Sequence, residues 1–400
     1  MSQTPTVNIH ELLDRIRIGY NSDNPIFIHG PPGIGKSDTT KQVARSIAEE
    51  KGLEFVEWPD ITVEEYRENA GDLFLFVDQR LAQSDATDSK GLPDLNESSD
   101  FTEWKPPAWV HALTPDDDLP EEDIQAVVFC DELNNAPQLV QKAYYRLILD
   151  REAGSDQRLS ENVYLLAAGN REEDKANVNP MPTPLRNRFG HVELEPPKGG
   201  KPNNDESDPT GLWTEWAVEN EISTDIVGFI GSNLGVGELY KFDPDKREAM
   251  AFATPRTWEM SSKAIKSMEN PTITQKVEGV EMFVGEGTAA TFRGFLETKA
   301  DLDLEKYMND PSTVREIGDM KVDVKHALVT AIAEEFRQDP TMETLSMVME
   351  VAYHIPDTEF GAYLLSVCRS YHPEEFQQMA PEIERFGEIA EEFIHFMDLS

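Results

Sequence analysis

Cysteine is nearly absent from this sequence, with two residues in 400, Cys130 and Cys368. So few thiols exclude a disulfide framework and a cysteine-rich zinc site. Long hydrophobic runs are missing too; nothing nears the roughly 20 apolar residues that span a bilayer. Met1 to Gly19 lacks the basic-then-apolar order of a signal peptide. The expectation is a cytoplasmic protein with no membrane partner. The eight histidines are scattered, with no H-E-x-x-H or similar metal set. Basic residues are scarce, 36 Lys and Arg against 76 Asp and Glu, for a net charge of −40. There is no Lys/Arg cluster, helix-turn-helix signature or zinc ribbon. A charge of this sign opposes contact with phosphate backbones, so nucleic acid is disfavoured as a partner.

The acids are spread along the whole chain, with small clusters at Asp116-Asp117-Asp118 and Glu121-Glu122-Asp123. In a high-salt cytoplasm the screening length falls to about 3 Å or less, and a carboxylate-rich surface stays hydrated without strong self-repulsion. The sequence is read as halophilic, with an ordinary acidic protein as the alternative. Hydrophobic residues at 39% suit a folded chain, and 400 residues exceed the usual single core.

Short apolar runs of the buried-strand type occur at Pro25 to His29, Leu73 to Val77, Ala126 to Cys130 and Val163 to Ala167, with a weaker one at His191 to Leu194. Helical spacing lies between them, notably at Ser37 to Glu50 and Gln138 to Arg151. Strands alternating with helices imply a mostly parallel sheet covered on both faces. Ser84 to Glu122 reads as an elaborated loop region. Pro196 to Pro209 reads as a domain boundary. Beyond it helical spacing dominates, in Trp258 to Met268, Val284 to Leu296, Val324 to Phe336, Met342 to Tyr353 and Pro381 to Met397.

The strongest motif is Gly30-Pro31-Pro32-Gly33-Ile34-Gly35-Lys36-Ser37, which fits G-x-x-x-x-G-K-[ST] between a strand and a helix. Glycines let backbone N–H groups curl around phosphate oxygens, and the next helix points its positive end at the same anion. Lys36 would reach the β- and γ-phosphates of ATP, and the Ser37 hydroxyl would bind Mg²⁺. The run Ala126 to Cys130 ends in Asp131-Glu132. Asp131 would hold the Mg²⁺ hydration shell and Glu132 would polarise the attacking water. Cys130 is read as a core residue. A third strand ends in Gly169-Asn170, where the amide either orients water or forms a plain turn.

These motifs, with Arg80 to Asp85, Asp88, Gly91-Leu92-Pro93, Trp104 to Trp109, Arg146 to Arg151, Ala167 to Arg171, Asp174 and Met181 to Phe189, resemble AAA+ ATPases of the MoxR-like, dynein-related branch, from a halophilic archaeon or its virus. The resemblance implies an α/β P-loop NTPase domain with a parallel central sheet over 1–197. An α-helical lid over 198–300 and a C-terminal helical region over 301–400 would follow. It implies a ring, commonly a hexamer, that spends ATP to remodel or mature a protein partner. That partner is expected to be a separate von Willebrand factor A protein, since no D-x-S-x-S run occurs here. It also implies that Asn170 is a sensor, Arg188 the finger offered to a neighbouring subunit and Arg256 the sensor in the lid. Arg186 is the alternative finger. Other classes stay open: a nucleic-acid motor, a metal-chelatase or gas-vesicle assembly motor, and a nucleotide-gated binding module. Trp104 and Trp109, around Pro106-Pro107, either contact a substrate or anchor a loop.

Overall fold

The computed structural model describes residues 4–85, 87–94, 103–153, 157–171, 174, 179–197, 213–214, 216–218, 220–232, 235, 237–243, 245, 250–383 and 387. The chain divides into two compact units, Met1–Pro196 and Pro197–Ser400. Most of the stretch read as a domain boundary, and most of the helix expected from Pro381 to Met397, lie outside the described residues.

The first unit is built on seven parallel strands: β1 (Thr6–Val7), β2 (Ile26–His29), β3 (Glu54–Trp58), β4 (Leu73–Arg80), β5 (Ala126–Asp131), β6 (Val163–Gly169) and β7 (Gly190–Leu194). Their spatial order is β1-β7-β2-β6-β5-β4-β3. Strands β2, β5 and β6 lie inside the sheet and are apolar on both faces, as expected where helices cover both sides. Phe27, Val128, Phe129, Val163 and Ala167 are fully buried. Helix α1 (Ile9–Asn21) starts on a reciprocal cap, with the Glu11 amide donating to Asn8 Oδ1 and the Asn8 amide to Glu11 Oε2. Helix α2 (Lys36–Lys51) follows the glycine loop, and α3 (Val63–Asn69) connects β3 to β4. Helix α4 (Gln138–Asp150) buries Val140, Tyr144 and Leu147 against the sheet core. The loop region at Ser84 to Glu122 has more order than the sequence suggests. It holds an antiparallel pair, Leu92–Asp94 with Glu103–Lys105, and a short helix, Ala108–Ala112.

The second unit is helical among its described residues. Helices α5 (Thr224–Gly231), α6 (Pro255–Lys266), α7 (Ile273–Val284) and α8 (Glu286–Ala300) close on an aromatic core. There the Phe229 ring lies 5.7 Å from Trp258, 5.4 Å from Phe292 and 5.9 Å from Phe295. Helices α9 (Val322–Gln338), α10 (Met342–His354) and α11 (Thr358–Tyr371) build a second core with Leu328, Ile332, Phe336, Leu345 and Leu364. Helix α9 serves both cores, since Ala327 belongs to the first and Leu328 to the second. The helical pattern through Val284 is broken in the structure by Gly285, at φ +87°, which ends α7 and starts α8. No helix among the described residues is long and apolar enough to cross a membrane.

Candidate active site

The site forms where β2, β5 and β6 end on the same edge of a parallel sheet. Gly33 and Gly35 have φ of +77° and +93°. A side chain at Gly35 would be strained there, and this turn is what curls the loop into the start of α2. Lys36 is buried. Its ammonium donates to the carbonyl oxygens of Gly30 at 2.7 Å and Pro31 at 2.8 Å, so the loop holds its own cation in place. Ser37, one residue on, donates from Oγ to Asp131 Oδ2 at 2.9 Å. The other oxygen, Asp131 Oδ1, accepts the Glu132 amide at 2.8 Å. Glu132 itself sits at φ +56°, where the strand turns sharply and the two acids leave the alternation of the pleat.

The third strand is tied to both others. The Gly30 amide donates to Gly169 O at 3.2 Å, and the Leu133 amide to Ala168 O at 3.0 Å. Asn170 is buried, and Asn134 fixes its backbone from both sides. Asn134 Nδ2 donates to Asn170 O at 2.7 Å, and the Asn170 amide donates to Asn134 Oδ1 at 3.1 Å. Glycine at 169 is required by this clasp: a Cβ there would stand 1.9 Å from Asn134 Oδ1. Nothing in the sequence reading singles out Asn134. The only signal is its position, three residues after Asp131.

His29, at the end of β2, has a defined partner. Its Nε2 is 2.9 Å from His191 Nδ1, and His191 Nε2 is 2.7 Å from the carbonyl oxygen of Arg186. A carbonyl only accepts, so neutral His191 carries its proton on Nε2, its Nδ1 accepts, and His29 Nε2 donates. Burial first, then His191 and Lys36, pull the His29 imidazole down to about 4. Asp78, on β4, brings a further carboxylate near Asp131. Burial and then Asp131 raise it, against the pull of Arg80 and Lys41. Cys130 is fully enclosed, and burial, with Asp78 and Asp131, pushes its thiol up, which suits a core residue rather than a reactive one.

The structure thus brings Lys36, Ser37, Asp131 and Glu132 together directly, and links Asn170 to them through Asn134. Among the described residues, neither Arg186 nor Arg188 forms an ion pair with Asp131 or Glu132. Arg186 ends the short helix Thr183–Arg186, and Arg186 and Arg188 are both exposed, with no ion pair among the described residues. Their segment is anchored by buried Leu185 and Phe189. Arg256 lies in the second unit, exposed in the first turn of α6. Of the two tryptophans, Trp109 is buried and anchors its short helix, while Trp104 is 39% exposed.

The fit to a nucleotide and its metal is testable on these atoms. Mg²⁺ keeps several waters and takes one or two protein oxygens beside substrate phosphates. A hydroxyl and a carboxylate already within hydrogen-bond distance at Ser37 and Asp131 match that habit. No group of three or more His, Cys, Asp or Glu suited to a metal occurs among the described residues. The first unit is an α/β P-loop fold. No protein-family model and no curated protein matches the sequence. Among solved structures, the chain is similar to NtrX of Brucella abortus in complex with ATP, at 12% identity over 93% of this chain and 69% of that one, with a TM-score of 0.32. It is similar to a proposed ATPase of Cytophaga hutchinsonii, at 11% identity over 97% and 90%, with a TM-score of 0.30. It is also similar to a point mutant of Thermotoga maritima RuvB, at 14% identity over 92% and 87%, with a TM-score of 0.26. Superpositions at these scores are loose.

Proposed function

We propose that this chain is an ATP-hydrolysing AAA+ protein of the MoxR-like type, which works as a ring and uses turnover to remodel or mature a protein partner. The observation that carries the reading is the join of Ser37 to Asp131 beside a buried Lys36, because it unites the phosphate loop and the acidic strand end in one cradle. In this reading the loop amides and Lys36 bind the triphosphate. Ser37 and Asp131 hold Mg²⁺, which when bound neutralises charge on the phosphate oxygens. Glu132 takes up the proton of the attacking water as it is oriented toward the γ-phosphorus. Asn134 keeps the Asn170 end of β6 rigid beside it. Arg186 and Arg188 are exposed and form no ion pair among the described residues, which supports an arginine offered to another copy. Arg188 is the first choice and Arg186 the second. Arg256 takes the sensor role of the helical unit. The partner is expected to be a separate protein of the von Willebrand factor A type.

Mixing experiments test the trans role. Arg188→Ala alone should bind ATP and not turn it over. Mixed with Glu132→Gln subunits, it should regain part of the activity, because each variant supplies what the other lacks. Absence of any recovery, with recovery for Arg186→Ala, would transfer the role to Arg186. Absence for both would remove the shared site. Stimulation of turnover by DNA at working salt would favour a nucleic-acid motor instead.

A further inference from the structure

The helical unit contains a cavity of about 800 Å³, walled by the start of α5, the ends of α6, α9 and α11, and side chains from α7 and α8. Its volume lies within the range of small-molecule sites, roughly 300–1,000 Å³. The lining is unusual for this molecule. Acids outnumber bases by more than two to one in the chain as a whole, 76 against 36. In the cavity the balance reverses: Lys266, Lys276, Lys299 and Arg337 face three acids, Glu221, Asp225 and Glu334.

The excess positive charge has a location. Asp225 is 5% exposed and takes two ammonium groups, Lys276 at 2.6 Å on Oδ2 and Lys299 at 2.8 Å on Oδ1. One carboxylate cannot neutralise two cations, so this triad keeps a net charge of about +1 in a mostly buried setting. Burial would raise the Asp225 carboxyl, and Lys299 and Lys276 more than reverse it, so it remains charged. Glu334 does not supply the missing charge. It is engaged by Arg337 at 2.6 Å and by the Thr224 hydroxyl at 2.9 Å. Among the described residues, Lys266 has an ion-pair contact with Glu221 at 3.5 Å. A second observation points to a ligand. The Tyr371 hydroxyl, on the same wall, is buried and has no hydrogen-bond partner among the described residues. Burying a hydroxyl without a partner costs about 1–3 kcal/mol, which a bound acceptor would offset.

We propose that this cavity binds a small organic anion, held by Lys276 and Lys299 through its anionic oxygens and accepting from the Tyr371 hydroxyl. Its lining residues all belong to the helical unit and include none from the glycine loop, β5 or β6. Anion binding in this cavity would require no ATPase activity.

Citrate and inorganic pyrophosphate serve as carboxylate and phosphate probes, titrated calorimetrically into the full chain without Mg²⁺ at the lowest salt that keeps it folded. At least one should bind with 1:1 stoichiometry, and which of them binds tells carboxylate from phosphate preference. Lys36→Ala should leave that binding unchanged; loss in this variant would place the anion at the glycine loop and overturn the proposal. Lys299→Gln leaves Asp225 with one ammonium, so the triad becomes neutral and should stay folded. It should weaken binding at least tenfold. Asp225→Asn raises the local charge and should tighten binding if it folds. Tyr371→Phe should weaken binding severalfold. No binding of either probe by the wild type, or equal binding by wild type and a folded Lys299→Gln, would reduce the cluster to a structural ion-pair network.

Discussion

Ser37 Oγ donates to Asp131 Oδ2 at 2.9 Å across 94 residues of sequence. The bond joins the first turn of α2 to the tip of β5, across the end of β6, which lies between β2 and β5 in the sheet. Asp131 is also held by the Glu132 amide, which fixes the carboxylate before any ligand arrives. Preorganisation of this kind lowers the cost of binding a metal between the two oxygens.

Asp131→Asn separates charge from shape. The amide oxygen still accepts from the Glu132 amide, so the fold should persist. The loss of the negative charge should raise the Mg²⁺ concentration for half-maximal activity by more than tenfold. Titration of activity with Mg²⁺ checks this, and an unchanged midpoint would remove Asp131 from the metal shell.

Asn134→Ala deletes both bonds to the Asn170 backbone. Each such bond contributes about 0.5–1.5 kcal/mol, and the buried carbonyl is left unpaired. Urea unfolding should show a loss of about 1–3 kcal/mol. In addition, kcat should fall about tenfold or more with a smaller change in ATP binding. Gly169→Ala should mimic the variant, because its Cβ displaces the same amide. A stability loss with kcat intact would limit Asn134 to a structural role.

His29 gives a pH signature. Its folded pKa, about 4, lies below the ordinary histidine value of 6.5. As pH falls, the unfolded chain takes the proton first, so stability present above pH 6.5 is lost as pH falls toward 4. The shift corresponds to about 2–3 kcal/mol after allowance for partial exposure. His29→Gln should lose that much less than wild type between pH 6.5 and 4, the carboxylates being common to both. Parallel curves would contradict the assignment.

Salt tests the reading of the surface. With a net charge of −40, self-repulsion should weaken as KCl rises from dilute to molar. The melting temperature should climb steeply over that range. A flat profile would mean an ordinary acidic protein.

The glycine loop and strands β2, β5 and β6 were legible in the sequence because their chemistry is local. Interior parallel strands are continuous apolar runs, and the loop carries its glycines at fixed offsets. Strand β3 was not legible: as an edge strand it mixes Glu54 and Glu57 with Phe55, Val56 and Trp58, and its residues are half-buried or exposed. Strand β1 has only two residues, too few for any period. Asn134 and His191 escaped because both act on backbone atoms that sequence spacing does not bring to notice, those of Asn170 and Arg186. The cavity in the helical unit was invisible for a related reason. Lys276 and Lys299 look like ordinary helix-surface lysines until the fold brings them to Asp225.

Phosphate release from ATP by Glu132→Gln, measured beside nucleotide binding, tests the central claim most directly. The account predicts ATP affinity close to wild type and turnover reduced by about 10²–10⁴. A variant that hydrolyses ATP at the wild-type rate, or a wild type that releases no phosphate at any ionic strength, would contradict it.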